Sequence, residues 1–485
     1  MNSQTNKSSV LPVVESNLAK VKSFFLNLTF TQKILLISFF GLLIRLLYYF
    51  LVVADNPLSG DAASYHLTAN LFADGLGFTE PFRYLFGSVD HIALGNSYKE
   101  IITPIGHVEP TAGHPPAWTV LLGFGSFFGL TSIFQQQIFS VFLGIPSIFI
   151  AGFIGKKISS ELLGLITASL TAVYAFIWIN DGLLMAETCA ITAALFTIYA
   201  ALLFKDNPGQ KTALLFGLAG GLAALCRAEL LIYLPLVAGV ILLKTNLSWK
   251  ERILRYVSIG IASVLIMSPW IIRNLLSFEE PVLLSDGAGT VLVQANCDST
   301  FFGENLGYWD LSCGQPPPYG SDGTLLDESQ RDRVVRNRAF SYINENKSRL
   351  ITTVIPARIG RMWGVFHPIE QLHRDTLADR RSFNISYFAY IQYLLLLPLS
   401  LYGFFKLWKR SRTNLLIISM WIPIATFTAA SAFGNTRYRT AAETSIVLLA
   451  SFAIGFLIEH HGKKILTNPV KTQSMLREDR HSGHH

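Results

Sequence analysis

Apolar residues arrive in long blocks, separated by short polar joints that carry lysine and arginine. Ten blocks read as membrane-spanning helices: about 33–54, 134–155, 161–180, 184–204, 212–227, 229–243, 253–270, 385–405, 414–432 and 441–459. A helix needs roughly 20 apolar residues to cross a bilayer, and these blocks approach or reach that length. Two stretches interrupt the rhythm, residues 55–133 and 274–384. In the first, Gly60-Asp61 reads as a turn into a short helix over 62–73, with Tyr65, Ala69 and Phe72 on one face. Residues 115–128 are apolar but short for a span, and read as an interfacial helix opened by Pro115-Pro116.

Charge then orients the blocks. Lys33, Lys156-Lys157, Lys205, Lys211, Lys244, the basic run at 249–255, the run at 406–412 and Lys463-Lys464 all fall at alternate joints, on one side. The positive-inside bias makes that side cytoplasmic, together with both termini and Lys20 and Lys22, and leaves both long loops outside. The expected organisation is a cytoplasmic tail (1–32), a transmembrane domain (33–460) and a second cytoplasmic tail (461–485), in a multi-pass protein of the plasma (inner) membrane. No small-residue cleavage site follows the first block, so it reads as a retained helix. Composition agrees: of 485 residues only 15% are charged and 51% are hydrophobic, too few charges for a soluble chain of this length. The fold class is an all-α polytopic membrane protein.

Of four cysteines, Cys189 and Cys226 lie within apolar blocks as small buried residues. Cys297 and Cys313 lie in the second external loop, where an oxidising compartment favours a disulfide.

The polar residues that bear chemistry gather at the external ends of the blocks. Asp61 follows the first span, as a helix N-cap or as a reactive carboxylate; the two roles are compatible. Glu187 lies just inside the fourth, where a carboxylate must be paired, with Arg227 or Arg273, or face a wet cavity. Asp181 stands six residues earlier, as a cap or as a second acid if Gly182 breaks the helix. Pro269 is expected to break the seventh span near Trp270, Arg273 and Asn274, where Arg273 snorkels or binds an anion. Arg437 and Arg439 sit outside against the charge bias; in an extended loop both would point one way, toward one phosphate or the lipid headgroups. His114 opens the interfacial helix as a candidate phosphate or metal contact. No Walker loop, dinucleotide fingerprint, zinc-protease motif or nucleic-acid motif occurs.

Taken together these residues resemble the GT-C glycosyltransferases, in particular the protein-mannosyltransferase-like family 39 and its actinobacterial relatives. The resemblance rests on Asp61 with Tyr65 four residues on, His114-Pro115-Pro116, Glu187, Pro269-Trp270 with Arg273-Asn274, and Arg437-Tyr438-Arg439, over about residues 35–460. Asn296-Cys297-Asp298, Trp309, Cys313 and Arg358, Arg361 and Trp363 look like loops of the actinobacterial members.

The resemblance implies a GT-C-like fold of about ten transmembrane helices with two large external loops bearing interfacial helices. It implies a polyprenyl-phosphate donor carrying a mannose- or arabinose-class sugar, and an acceptor hydroxyl on an envelope glycan, lipid or protein. Asp61 becomes the general base, Glu187 a second catalytic acid, and His114, Arg273, Arg437 and Arg439 the donor-phosphate ligands. Tyr65, Asp181, Trp270 and Asn274 would line the donor or acceptor sugar. Attack opposite the leaving phosphate inverts the anomeric carbon. Relatives often place a second acid beside the first; here that position is Ala62, so a dyad partner comes from Asp181 or Glu187. No cofactor is required by these residues, and a divalent metal is left open. The rival reading is a transporter or flippase of a polyprenyl-linked glycan, which would show internal repeats that this chain lacks.

Overall fold

The computed structural model describes residues 27–94, 97–317, 319–320 and 324–467; residues 1–26 and 468–485, most of the two expected tails, lie outside the described residues. Among the described residues seven helices are long and apolar enough to cross a membrane. In chain order the helices that matter are α1 (Phe30–Val53), α2 (Gly60–Ala73), α3 (Ala117–Phe127), α4 (Ile133–Ile158), α5 (Glu161–Val173), α6 (Glu187–Asp206), α7 (Gln210–Cys226), α8 (Ala228–Leu243), α9 (Trp249–Ser277), α10 (Ala288–Ala295), α11 (Glu328–Glu345), α12 (Ile355–Met362), α13 (Pro368–Asp379), α14 (Phe383–Arg410), α15 (Arg412–Ser431) and α16 (Thr436–His460). The seven are α1, α4, α6, α9, α14, α15 and α16. The other three expected spans are present as the shorter helices α5, α7 and α8. The protein is a multi-pass, all-α membrane protein.

Capping chemistry starts several spans where the sequence changes from polar to apolar. Thr29 with Gln32, Ser132 with Gln135 and Ser248 with Glu251 each form a reciprocal capping box. The expected break at Pro269 does not occur: α9 continues to Ser277 with the proline inside it. Proline leaves the carbonyl four residues back without its amide, and Leu265 O accepts from the Ser268 hydroxyl instead, at 2.9 Å.

The bundle centre is formed by α6 and α16, the most buried of the seven, with 72% and 78% of their apolar windows inside the protein. Both begin at the same end of the molecule, α6 with Glu187 and α16 just before Arg437. The first long loop adds α2 packed on α3, and an antiparallel hairpin, β1 (Ser88–Leu94) with β2 (Ser97–Thr103). The second adds α10 packed on α11, then α12 and α13. Cys297 and Cys313 are joined by a disulfide.

Candidate active site

Asp61 lies in the first turn of α2, but the N-cap is Ser59, whose hydroxyl accepts from Ala62 N at 3.3 Å. Its carboxylate is therefore free of the capping role, and its side chain is 39% exposed. Asp61 Oδ2 accepts from Arg437 Nη1 at 2.9 Å, and Oδ1 stands 3.9 Å from His114 Nε2. The His114 ring in turn packs on the buried Tyr65, ring centres 4.6 Å apart. Burial alone would raise the Asp61 carboxyl; Arg437 and then His114 outweigh it and hold it at about 2. Burial pushes the His114 pKa down, against the pull of Asp61.

Arg437 gathers three carboxylates drawn from separate parts of the chain. Its Nε donates to Glu187 Oε1 at 2.8 Å, and its Nη1 donates to Asp61 and, at 3.3 Å, to Asp379 Oδ1. Arg227 Nη1 reaches the same Glu187 oxygen at 2.6 Å while its Nε binds Glu229, so the pairing of Glu187 with Arg227 is present. Glu187 Oε2 and Asp379 Oδ2 are buried with no hydrogen-bond partner. A small cleft beside this network is lined by Ala190, Leu230, Ile424 and Ala425 together with Arg227 and Arg437.

Backbone strain marks both flanks. Leu184 (φ 57°) and Arg380 (φ 57°) are non-glycine residues in the left-handed region, one three residues before Glu187 and the other directly after Asp379. Trp118 Nε1 holds the first turn by donating to Leu184 O at 2.9 Å. Arg381 holds the second, donating to Asn180 Oδ1 at 3.0 Å and Thr436 Oγ1 at 2.8 Å. Burial, opposed by Arg437 and Arg381, pushes the Asp379 carboxyl up to about 6.

Other candidate residues serve elsewhere. Arg437 and Arg439 do not share a face, because residues Thr436–Arg439 form a 3-10 turn and not an extended loop. Arg439 is buried, donating to Glu443 Oε1 at 2.5 Å and Met362 O at 3.0 Å, with Tyr393 under its guanidinium. Arg273 donates to the carbonyls of Thr111 (2.9 Å) and Phe78 (2.7 Å) and stacks over Trp270. Trp270 Nε1 donates to Leu284 O and Asn274 Nδ2 to Leu283 O, so this motif ties α9 to both loops. Asp181 is neither a helix cap nor a neighbour of Asp61. It is buried, accepting from Arg45 Nε at 2.7 Å and Thr188 Oγ1 at 2.8 Å, after the chain breaks at Gly182 (φ 91°).

Arg358 and Arg361 are likewise buried: Arg358 reaches Ala295 O and Asn296 Oδ1, and Arg361 reaches Leu306 O. They fasten the disulfide loop over the Arg437 turn, where Gly434 N donates to Gly307 O at 2.8 Å. A side chain at Gly434 would strike the Arg358 backbone.

The loop carrying His114 rests on the half-buried Glu328 and on the backbone of the buried Asp286. Glu328 accepts from Thr111 Oγ1 (3.1 Å) and Ala112 N (2.8 Å), and Asp286 N donates to Ala112 O (3.1 Å). Burial, then the neighbouring Glu328, push Asp286 up to about 9, and burial pushes Glu328 up to about 7.

Two residues of the centre carry no mark in the sequence pattern, Asp379 and Arg381, whereas Arg227 enters it as the expected partner of Glu187. Asp379 and Arg381 sit in a polar loop among many charges, where nothing in the pattern distinguishes them. Arg45 was also missed, although a guanidinium within the first apolar block is a usable signal.

No protein-family model matches the chain, and no curated protein sequence matches it. Solved structures do. The archaeal oligosaccharyltransferase AglB from Archaeoglobus fulgidus, solved with an inhibitory peptide and a dolichol-phosphate, superimposes with a TM-score of 0.53 at 14% identity, over 91% of this chain and 52% of its own. The Archaeoglobus fulgidus oligosaccharyltransferase in complex with Zn and sulfate gives 0.51 at 12% identity, over 91% and 51%. The chain has a GT-C-like fold. It spans about half the length of the oligosaccharyltransferase chains it matches, and at this identity the likeness speaks for the fold.

Proposed function

We propose that this protein is a glycosyltransferase that moves a sugar from a polyprenyl-phosphate donor to an acceptor hydroxyl on the extracytoplasmic face. The observation that carries the reading is the contact of Asp61, a partly exposed carboxylate, with Arg437 beside a small cleft of mixed apolar and polar lining. Both groups have to reach one anomeric carbon, the base from the face of the nucleophile and the phosphate ligand from the face of the leaving group, and a shared centre places both within that reach. Arg437 Nη2 has no hydrogen-bond partner among the described residues, which leaves a donor for a phosphate oxygen.

In this mechanism the acceptor hydroxyl loses its proton to Asp61 as its oxygen bonds to the anomeric carbon. The carbon–oxygen bond to the lipid phosphate breaks, and the phosphate leaves with the electron pair. Arg437, with Arg227 near it, meets the charge that grows on the leaving oxygen. Inversion follows from single displacement. Glu187 holds both guanidiniums in place, and Tyr65 sets the His114 ring over the first acid. Mannose and arabinose donors remain the sugars of choice, with an envelope glycan, lipid or protein as acceptor.

One solved neighbour holds Zn. Among the described residues no group of three or more His, Cys, Asp or Glu is arranged to hold a metal ion, and Arg437 bridges the carboxylates that converge. The test is transfer from radiolabelled polyprenyl-phosphate sugars by purified protein, across a panel of envelope acceptors. Transfer from one donor that Asp61→Asn abolishes supports the reading. Transfer that survives in a folded Asp61→Asn variant removes Asp61 as base, and donor movement across liposomes without transfer favours a flippase.

A further inference from the structure

We infer that Arg437 is the resident cation of this centre, standing where a divalent metal would stand among Asp61, Glu187 and Asp379, so that the protein needs no metal there. The three acids come from α2, α6 and the end of α13, and one guanidinium draws them together. Their oxygens lie 2.8–3.3 Å from its nitrogens, which suits N–H to oxygen bonds. A divalent ion collects carboxylates from distant segments in the same way, but at about 2.0–2.6 Å and with more oxygen ligands.

The packing commits the site to the guanidinium. Glu187 Oε1 is already shared by Arg437 and Arg227. Asn435 Oδ1 accepts from Arg437 N at 2.8 Å and fixes the turn from which the side chain projects. Arg381 holds the neighbouring turn through Thr436, so the arginine is fastened from both sides. A fixed charge of this kind does not dissociate, and its planar fork can add a phosphate oxygen without releasing its acids. Two buried oxygens accept no hydrogen bond, Glu187 Oε2 and Asp379 Oδ2, the second with Arg381 Nε 4.0 Å away; they are the ligands that removal of the Arg437 guanidinium would make available to an ion.

The activity arm of the test rests on the transferase reading; the binding arm does not. Full-length protein is freed of metal with EDTA and titrated with Mn²⁺, the free ion being followed by electron paramagnetic resonance. Wild type should take up no stoichiometric Mn²⁺. Arg437→Gln should gain one site, which Arg437→Gln with Asp379→Asn loses, while Arg437→Lys, which keeps a cation, gains none. Wild-type transfer should be unchanged by EDTA, and Arg437→Gln should lower it by about 10²–10³-fold.

Stoichiometric Mn²⁺ uptake by wild type that Asp61→Asn removes overturns the inference, as does a folded Arg437→Gln variant that binds none. If Arg437→Gln does not fold, the wild-type titration decides alone: uptake that Asp61→Asn removes overturns the inference, and the absence of such uptake upholds it. If wild type transfers no sugar at all, the transferase reading fails, and the Mn²⁺ titration still decides the role of Arg437.

Discussion

Arg437 Nη1 stands 2.9 Å from Asp61 Oδ2, and that contact sets the charge of the exposed acid in the centre. The Asp61 carboxyl, held at about 2, stays ionised through the physiological range. Its folded pKa is depressed, so the linked stability is present above the unfolded value and is lost as pH falls through about 2. Asp61 should therefore set no acid limb in the transfer rate above about pH 4. In Arg437→Gln the largest opponent of burial is gone and only His114 and Arg227 still favour ionisation, so an acid limb should move to higher pH. A pH–rate profile of the two proteins checks this.

Asp61→Asn keeps the shape of the side chain and removes the proton acceptor. Transfer should fall by about 10²–10⁴-fold, while the thermal transition falls only by what the loss of the Asp61–Arg437 pair costs the fold. Donor binding, followed with a short-chain polyprenyl phosphate, should survive.

Asp286 and Glu328 make stability depend on pH in the opposite sense. Their folded pKa values are raised, to about 9 and about 7, so their contribution is full below the unfolded carboxylate values and is lost as pH rises toward those folded values. The melting temperature of wild type should fall between pH 5 and 9, by the sense of that linkage. Asp286→Asn, which fixes the neutral form, should flatten the fall and raise the melting temperature at the alkaline end. A slope unchanged by the substitution would show that these acids do not titrate as a buried pair.

The apolar blocks were legible because a span announces itself by length: among the described residues seven of the ten are helices long enough to cross a membrane and three are shorter helices. Asp61, Glu187 and Arg437 were legible because each stands where a charge is costly or out of place. What the pattern did not carry was direction. Arg439 lies two residues from Arg437, but a 3-10 turn sends it into the bundle toward Glu443. Asp181 and Glu187 are close in sequence, yet the left-handed Gly182 and Leu184 aim them at different arginines. Asp379 reaches the centre through a fold of the second loop, and contacts of that kind depend on tertiary packing that periodicity cannot express.

The disulfide between Cys297 and Cys313 should add stability of about 2–4 kcal/mol. Its loop touches the Arg437 turn through Gly307 and Gly434. Reduction, or the Cys297→Ser and Cys313→Ser pair, should lower the melting temperature and lower transfer together, a coupling that activity and unfolding measured on one sample can test.

Arg45 and Asp181 form a buried pair between α1 and the turn before α6. Arg45→Leu should cost about 3–5 kcal/mol, because it strands a carboxylate in the bundle. Arg45→Leu with Asp181→Leu should recover most of that loss in thermal unfolding, whereas two independent sites would add.

That pair also imposes an order on biogenesis. Arg45 leaves the ribosome 136 residues before its partner. The first helix thus enters the lipid phase carrying a guanidinium whose counter-charge has yet to be synthesised, at a cost of about 2.5–3.5 kcal/mol on insertion scales. It has every reason to linger at the insertion machinery until the turn bearing Asp181 arrives. The opening span of this protein becomes a finished membrane element only when the turn ahead of α6 closes against it.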